Sequence, residues 1–199
     1  MQRDQVQLGP VPPNQNPMRR QVLRSLGAWP MAGLVGCGSF ERYPIRIPDA
    51  PFITTKEDVV EGMLRLARVG PTDMVYDLGC GDGRIPIMAA QKFGARGVGI
   101  EIDNELVKLA RVNALKAGVA DRVEFRLEDL FKTDVRPATV VALFLLPEMM
   151  ERLKFSFKAQ LRPGARIVAH EFGMGGDWPA DRIERIGIAT VRLWTIPLR

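Results

Sequence analysis

Three alternating glycines give residues 77–83 the form of a tight ligand-binding turn, which reads Asp77-Leu78-Gly79-Cys80-Gly81-Asp82-Gly83. Glycine permits positive φ and lets a ligand approach the backbone without meeting a Cβ atom. The amides at the start of a following helix can then bind an anionic group such as a carboxylate. Asp77 can accept hydrogen bonds from an amino group of the ligand or from the amides of the turn itself. The segment therefore predicts a site for a ligand that carries both groups.

Acidic residues at two later positions could contact a nucleoside attached to that ligand. Glu101 lies roughly 20 residues beyond the turn, where a carboxylate can take both hydroxyls of a ribose. Further along the chain come Glu128, Asp129 and Leu130. An acidic side chain there can accept a hydrogen bond from an adenine amino group, while Leu130 can pack on the ring. Together with the turn, these residues predict an adenosyl ligand.

A nicotinamide-dependent oxidoreductase is the main alternative, because it also uses a glycine turn and a later acid. Its fingerprint requires the spacing G-x-G-x-x-G, which would place a glycine at position 84. Arg84 stands there, and the third glycine is Gly83. The Tyr/Lys or His pair that such an enzyme uses in catalysis is not evident either. A tight turn without a ligand would leave the later acids unexplained, so an adenosyl ligand of another kind is favoured.

The elements that must position these residues alternate between strand and helix. Apolar runs predict five strands, at residues 74–78, 97–100, 123–127, 139–145 and 166–172. Helices are predicted around them, the first with a capping box of Thr55 and Asp58 and later ones starting at Asp103 and Pro147. Two more strand-like segments, with only Ala189 between them, predict an antiparallel hairpin at residues 182–188 and 190–196. The predicted fold class is therefore α/β, with a doubly wound, mostly parallel sheet.

Three segments resemble the first three motifs of class I S-adenosylmethionine-dependent methyltransferases: Asp77-x-Gly79-x-Gly81-x-Gly83, Gly99-Ile100-Glu101 and Glu128-Asp129-Leu130. The similarity covers roughly residues 50–199. It implies a Rossmann-like sheet of seven strands that ends in an antiparallel hairpin. It also implies that the cofactor is S-adenosyl-L-methionine, and no metal-binding residue is predicted. The residues implied to hold the cofactor are Asp77, Gly79, Gly81, Gly83, Glu101, Asp129 and Leu130.

A narrower resemblance relates the chain to a bacterial group with short leaders and to mitochondrial, membrane-anchored protein-lysine methyltransferases. It rests on Pro51-Phe52-Ile53-Thr54-Thr55, Asp82-Gly83-Arg84-Ile85 and Leu143-Phe144-Leu145-Leu146-Pro147. This resemblance implies that Thr54 and Thr55 close over the methionine end of the cofactor. It places Leu146 and Pro147 beside the methyl-transfer site and implies a protein lysine as the methyl acceptor. The glycine-rich segment 172–178 departs from the pattern, so no substrate contact is carried over to it.

No catalytic residue can be assigned from the sequence. Methyl transfer from a sulfonium needs the two reactants held in line and water excluded, and a base only where the nucleophile must lose a proton. His170 and Glu171 lie near the expected cleft, but a histidine at a strand end is more often a packed or solvent-facing residue.

The identity of the methyl acceptor stays open between a protein lysine and a small molecule. The Asn/Asp-Pro-Pro-aromatic motif of enzymes that methylate amino groups of nucleic acids is absent, since residues 144–147 read Phe-Leu-Leu-Pro. A nucleic-acid partner is therefore disfavoured. A third hypothesis, from a different class, is a lipid-anchored protein that keeps the fold without the activity.

The first 46 residues differ in character from the rest and carry most of the excess positive charge of a chain whose net charge is +5. Residues 18–37 have the basic start, the short apolar stretch and the Leu34-Val35-Gly36-Cys37 ending of a lipoprotein signal. A disordered or amphipathic leader is the alternative, since Arg24 and Pro30 disturb the apolar stretch. We expect a leader over residues 1–46 and a methyltransferase domain over residues 47–199.

The compartment also stays open between the cytoplasm and a membrane reached through the leader. S-adenosylmethionine is made in the cytoplasm, and an exported enzyme would lack it. The chain has two cysteines and one histidine, which argues against a disulfide framework or a Cys/His zinc site.

Overall fold

The apolar segments pair into one seven-stranded sheet in the computed structural model, which describes residues 53–197. The strands are β1 (Met74–Leu78), β2 (Arg96–Glu101), β3 (Val123–Leu127), β4 (Val140–Leu143), β5 (Arg166–His170), β6 (Arg182–Ile186) and β7 (Ala189–Thr195). Their order across the sheet is β3-β2-β1-β4-β5-β7-β6. Strands β1 to β5 run parallel, and β7 is antiparallel to both β5 and β6. The predicted doubly wound, mostly parallel sheet with a terminal hairpin is confirmed.

Helices cover both faces of this sheet. They are α1 (Glu57–Leu66), α2 (Arg84–Phe93), α3 (Asn104–Lys116) and α4 (Pro147–Gln160). Successive residues of β1 point to opposite faces, so Tyr76 packs with the α4 residues Leu153 and Phe157, while Val75 packs with Met63 of α1. Because both faces are buried, the central strands are apolar throughout and only their ends carry polar groups.

The helix starts were predicted correctly for α3 and α4 but not for α1. The Asp103 carboxylate accepts from the amides of two residues of the first turn of α3, and Pro147 is the first residue of α4. Helix α1 has Lys56 as its N-cap and no side-chain cap, so the predicted capping box of Thr55 and Asp58 is wrong. The hydroxyl of Thr55 lies instead 3.3 Å from Nδ1 of His170. The Thr55 hydroxyl therefore contacts a residue distant in the chain and does not cap α1.

Several predicted strand ends also move, and the shifts at the end of β5 and in the hairpin have a backbone reason. Strand β4 ends at Leu143 rather than at position 145, and β5 ends at His170 rather than at position 172. Glu171 has φ of 61°, which no regular strand adopts. In the hairpin, the turn lies at Gly187, with φ of 59°, and the neighbouring residue 188, while Ala189 already belongs to β7.

A buried aspartate ties together the strand ends opposite the predicted site. Asp73, just before β1, accepts from the Gly70 amide at 2.8 Å and the Thr139 hydroxyl at 2.6 Å, and it pairs with Arg166. Both carboxylate oxygens of Asp73 have partners within the protein, so Asp73 has a structural role.

The predicted leader, residues 1–46, lies outside the described residues, as do Cys37 and the predicted domain start at residue 47. Between residues 53 and 197 no helix has the length and apolar character needed to cross a membrane.

Candidate active site

A cavity of about 370 Å³ opens at the carboxyl ends of β1, β2, β3 and β4. Strand β1 lies between β2 and β4. The chain adds β2 and β3 on one side of β1 and then β4 and β5 on the other, and open α/β sheets bind ligands where the strand order reverses in this way. The walls come from the turn after β1, the end of β2, the segment after β3, the end of β4 and the N-terminal segment, by which we mean residues 53–55.

Most of the predicted site residues line this cavity. They are Thr54, Thr55, Asp77, Gly79, Gly81, Glu101, Asp129 and Leu130. Three predicted residues, Gly83, Leu146 and Pro147, are not part of its lining. At the end of β4 the cavity is bordered instead by Phe144 and Leu145, and from the first turn of α4 by Met149.

Backbone hydrogen bonds and close packing hold the glycine turn against β2 and β3. The amides of Gly79 and Cys80 both donate to the carbonyl of Ile100, at 2.8 and 3.0 Å. Gly83 has φ of 81°, and a Cβ atom there would lie 2.6 Å from the ring of Phe125. Gly83 therefore serves the close approach of α2 to β3 and not the lining of the cavity.

The carboxylate of Glu101 joins the end of β2 to the turn. One oxygen accepts from the Gly81 amide at 2.9 Å, and the other accepts from the amides of Ile102 and Asp103 at 2.7 and 3.1 Å. A carboxylate offers about four lone-pair sites. These three amides leave about one site, on the oxygen that faces Gly81, for a ligand hydroxyl.

Asp77 is a buried carboxylate without a hydrogen-bond donor among residues 53–197. Only 3% of the residue is exposed. Burial, and after it the neighbouring carboxylates of Glu101 and Asp82, raise the pKa of Asp77 well above its usual value. The turn amides that could have satisfied it donate to the carbonyl of Ile100 and to Glu101 instead. What this carboxylate lacks is a cation or a hydrogen-bond donor, and it faces the cavity.

Arg84 links the turn to the N-terminal segment. Its guanidinium donates to both carboxylate oxygens of Asp82, at 2.9 and 2.6 Å, and to the carbonyl of Thr55 at 2.5 Å. The contact with Asp82 could have been expected from the sequence, because the two residues have an Asp-x-Arg spacing. Asp134 and Arg136 have the same spacing and also form an ion pair. The contact with Thr55 had no such signal.

An aromatic pair lies at the ends of β4 and β5. The ring centroids of Phe144 and His170 are 4.2 Å apart, with the planes inclined by 42°. Phe144 lines the cavity and His170 lies behind it. Burial lowers the pKa of His170 below its usual value, against the opposing effect of the Glu171 carboxylate, which lies 3.6 Å from Nε2. Burial therefore favours the neutral form of the imidazole.

The glycine-rich segment 172–178 packs on α4 and β7. Met174 is fully buried, Asp177 pairs with Lys154 of α4 at 2.7 Å, and the Trp178 carbonyl accepts from the indole of Trp194 at 2.9 Å. None of the residues 172–178 lines the cavity.

Residues 77–182 match the ANTKMT methyltransferase domain, and they include both the turn and the strand ends that form the cavity. The chain belongs to this family. The protein-lysine N-methyltransferase of Saccharolobus islandicus is 43% identical over 139 residues, which cover 69% of this chain and 86% of that protein. The adenine nucleotide translocase lysine N-methyltransferase of Mus musculus is 36% identical over 156 residues, which cover 78% of this chain and 66% of the mouse protein.

A solved structure gives the same result for fold and cofactor. It is described as an RNA methyltransferase from Salinibacter ruber in complex with S-adenosyl-L-homocysteine. It has 54% sequence identity and a TM-score of 0.72, and the match covers 74% of this chain and 95% of that one. The chain is a methyltransferase that uses S-adenosyl-L-methionine, and the fold and family implied by the sequence resemblance are confirmed.

Proposed function

We propose that this enzyme transfers the methyl group of S-adenosyl-L-methionine to the side-chain amine of lysine in a protein. The observation that carries the proposal is the combination of two kinds of side chain in one cavity. Its lining includes a buried carboxylate in need of a cation, Asp77, and the apolar side chains of Phe144 and Leu145. The lysine methyltransferase names of the Saccharolobus and mouse relatives support the same acceptor.

The methionine end of the cofactor fits the side of the cavity formed by the turn. Its ammonium group would supply the cation that Asp77 lacks. Its carboxylate would meet the N-terminal end of α2, where the helix dipole is positive. Thr54 and Thr55 would form the wall over this end.

The adenosine end fits the ends of β2 and β3. Glu101 has about one lone-pair site left, so it would accept directly from one ribose hydroxyl. A contact with the second hydroxyl would require one of the three amides to give up its bond to the carboxylate. Asp129 and Leu130 would contact the adenine from the segment after β3, the acid at the exocyclic amino group and the leucine against the ring.

Among residues 53–197, apolar side chains border the acceptor side of the cavity. When bound, S-adenosyl-L-methionine supplies a methyl group on a sulfonium sulfur, which a neutral amine can displace. Phe144, Leu145 and Met149 border the cavity there, and none of these side chains can take a proton. A lysine amine has a pKa of about 10.4 in water, so its proton passes to solvent before the amine enters. Apolar walls of this kind suit the aliphatic stem of lysine.

The charges of the cavity disfavour a polyanionic substrate. Its lining contains one guanidinium, that of Arg84, and the carboxylates of Asp77, Asp82, Glu101, Asp103, Glu128 and Asp129. Proteins that bind nucleic acids place cations along the phosphate backbone, and Arg84 is the one cation among the described residues of this lining. The protein acceptor is therefore favoured over RNA, although the Salinibacter relative is described as an RNA methyltransferase.

Tritiated methyl donor added to a cell lysate tests the acceptor class. We expect label to enter material that protease releases and ribonuclease does not. With the Asp77→Asn variant, the incorporated label should fall by at least about 90%, because this variant lacks the charge that binds the cofactor. Label that ribonuclease releases would overturn the protein acceptor, and label only in small molecules would favour the second acceptor hypothesis.

The leader supports a further part of the proposal, attachment of the enzyme to the cytoplasmic face of a membrane. Basic residues and a short apolar stretch adjoin in residues 18–37, and each cation near an anionic surface contributes about 1 kcal/mol. Changing Arg19, Arg20 and Arg24 together to glutamine should move the chain from the membrane to the soluble fraction, whereas Cys37→Ser should not. Release by Cys37→Ser alone would indicate a lipid anchor instead.

A further inference from the structure

Two contacts hold Thr55 against the edge of the cavity. Its hydroxyl lies 3.3 Å from Nδ1 of His170, a residue 115 positions further along the chain. Its carbonyl accepts from Arg84 at 2.5 Å. Thr55 is only 4% exposed, although it belongs to a segment outside any helix or strand. A short irregular segment has thus been fixed at both its side chain and its backbone.

We propose that His170 and Arg84 are positioning residues, which hold Thr55 in place as a wall of the cofactor cavity and thereby slow the release of the bound cofactor. The inference rests on the proposed cofactor site. Neither residue was among the predicted site residues, and His170 contacts Thr55 without being part of the lining of the cavity.

The imidazole of His170 suits this role because its own position is determined from several sides. Its ring packs on Phe144. The next residue, Glu171, has a left-handed φ of 61°, and it exchanges hydrogen bonds with Thr190, whose carbonyl accepts at 2.7 Å and whose amide donates to the Glu171 carboxylate at 3.0 Å. Strained backbone persists where the surroundings over-determine it, and it is concentrated at functional sites.

The protonation of His170 sets the direction of the contact with Thr55. In the neutral ring only one nitrogen carries a proton. Nε2 lies 3.6 Å from the Glu171 carboxylate, which favours a proton on Nε2 and leaves Nδ1 to accept from the Thr55 hydroxyl. The two nitrogens then face different groups, which favours one orientation of the ring.

The guanidinium of Arg84 is oriented in a comparable way. Two of its N–H groups are held by the carboxylate of Asp82, and a third donates to the Thr55 carbonyl. Arg136 forms the same pair of bonds with Asp134, at 2.8 and 2.6 Å, but on the exposed surface. The two arginines differ in whether the oriented guanidinium also reaches a backbone carbonyl of the N-terminal segment.

Dissociation of S-adenosyl-L-homocysteine from the full chain tests the contact with His170. Thr55→Val and His170→Phe should each increase the dissociation rate about tenfold, as expected for the loss of one buried hydrogen bond. The double variant should also show only about a tenfold increase, because both changes remove the same bond. For His170→Phe, KM for the cofactor should rise together with the dissociation rate, while kcat at saturating cofactor should stay within about twofold of wild type.

Matched variants separate this role from a general loss of structure. His170→Asn keeps a polar atom near the position of Nδ1 and should restore most of the slow dissociation. Thr195→Val, at an exposed position of β7, should leave the rate unchanged. Arg84→Met should speed dissociation, and Arg136→Met should not.

Additive effects of Thr55→Val and His170→Phe would overturn the inference, as would unchanged dissociation in both. The cofactor site itself is judged separately, by wild type and Asp77→Asn. If Asp77→Asn weakens binding and Thr55→Val does not, the positioning role fails alone. If Asp77→Asn binds like wild type, the proposed cofactor site fails.

Discussion

Replacing Asp77 with asparagine is expected to weaken the binding of S-adenosyl-L-homocysteine about 100-fold and yet to stabilise the unliganded protein. The first effect follows from removing one partner of a buried charge pair, which costs about 2–5 kcal/mol. The second follows because the free carboxylate is buried without a donor among residues 53–197 and near Glu101 and Asp82. We expect the free energy of unfolding to rise by about 1 kcal/mol, as at other sites where function costs stability.

The stabilising effect of Asp77→Asn should depend on pH with a defined sign. The pKa of Asp77 is raised in the folded protein, so the folded state binds the proton more tightly than the unfolded state does. Wild type therefore loses stability as the pH rises from the unfolded pKa of about 3.9 through the raised folded pKa. Below about pH 3.9 the contribution of this group vanishes. Urea unfolding across this range should show the two proteins diverging as the pH rises.

Asp73 is the matched control for Asp77. It is also a buried aspartate, and it lies just before β1, the strand that contains Asp77. It accepts from Gly70 and Thr139 and pairs with Arg166. Asp73→Asn should lower the free energy of unfolding by about 2 kcal/mol and leave the affinity for S-adenosyl-L-homocysteine unchanged. Calorimetric titration and urea unfolding of both variants measure the two effects. If Asp77→Asn lost stability and kept affinity, Asp77 would be a structural residue like Asp73.

Replacing Gly83 with alanine should cost about 3 kcal/mol of folding free energy, from two separate sources. The left-handed φ of 81° is unfavourable for any residue with a Cβ atom, and the new methyl group would lie 2.6 Å from Phe125 and 2.9 Å from Ala110. Helix α2 would have to move away from β3, and the turn at its N-terminus would move with it. Affinity for the cofactor should therefore fall as well.

Gly164 allows the two sources to be separated. Its φ is 84°, close to that of Gly83, but no atom lies within 4 Å of the position that a Cβ would take. Gly164→Ala should cost only the backbone term, about 1 kcal/mol. Denaturant unfolding of both variants gives the difference. Equal losses would show that the packing of α2 against β3 tolerates the methyl group, contrary to our assignment of Gly83.

The features that were predictable from the sequence are those set by local signals. The run Met74–Leu78 lies between Pro71 and Gly79, so both ends of β1 were marked. The acids at the ends of β2 and β3 were predictable as partners because parallel strands end at one edge of a sheet. Asp103 and Pro147 marked helix starts for equally local reasons.

The contacts that were not predicted join residues far apart in the chain. Thr55 had the right type and spacing for a helix cap, but its hydroxyl contacts His170, which no pattern near residue 55 indicates. Gly83 had the spacing of a ligand-binding glycine, but it serves packing against Phe125. In both cases the residue type indicated which backbone conformation or hydrogen bond was possible. Only the tertiary structure shows which residue becomes the partner.

The chemical identity of the methylated product tests the central claim most directly. Lysate protein labelled by the wild-type enzyme and tritiated S-adenosyl-L-methionine is hydrolysed to amino acids and separated by chromatography. We predict that the label elutes with lysines methylated on the side-chain nitrogen and that Asp77→Asn lowers this signal by at least about 90%. Label in methylated arginine, in volatile methyl esters or in nucleosides would contradict it.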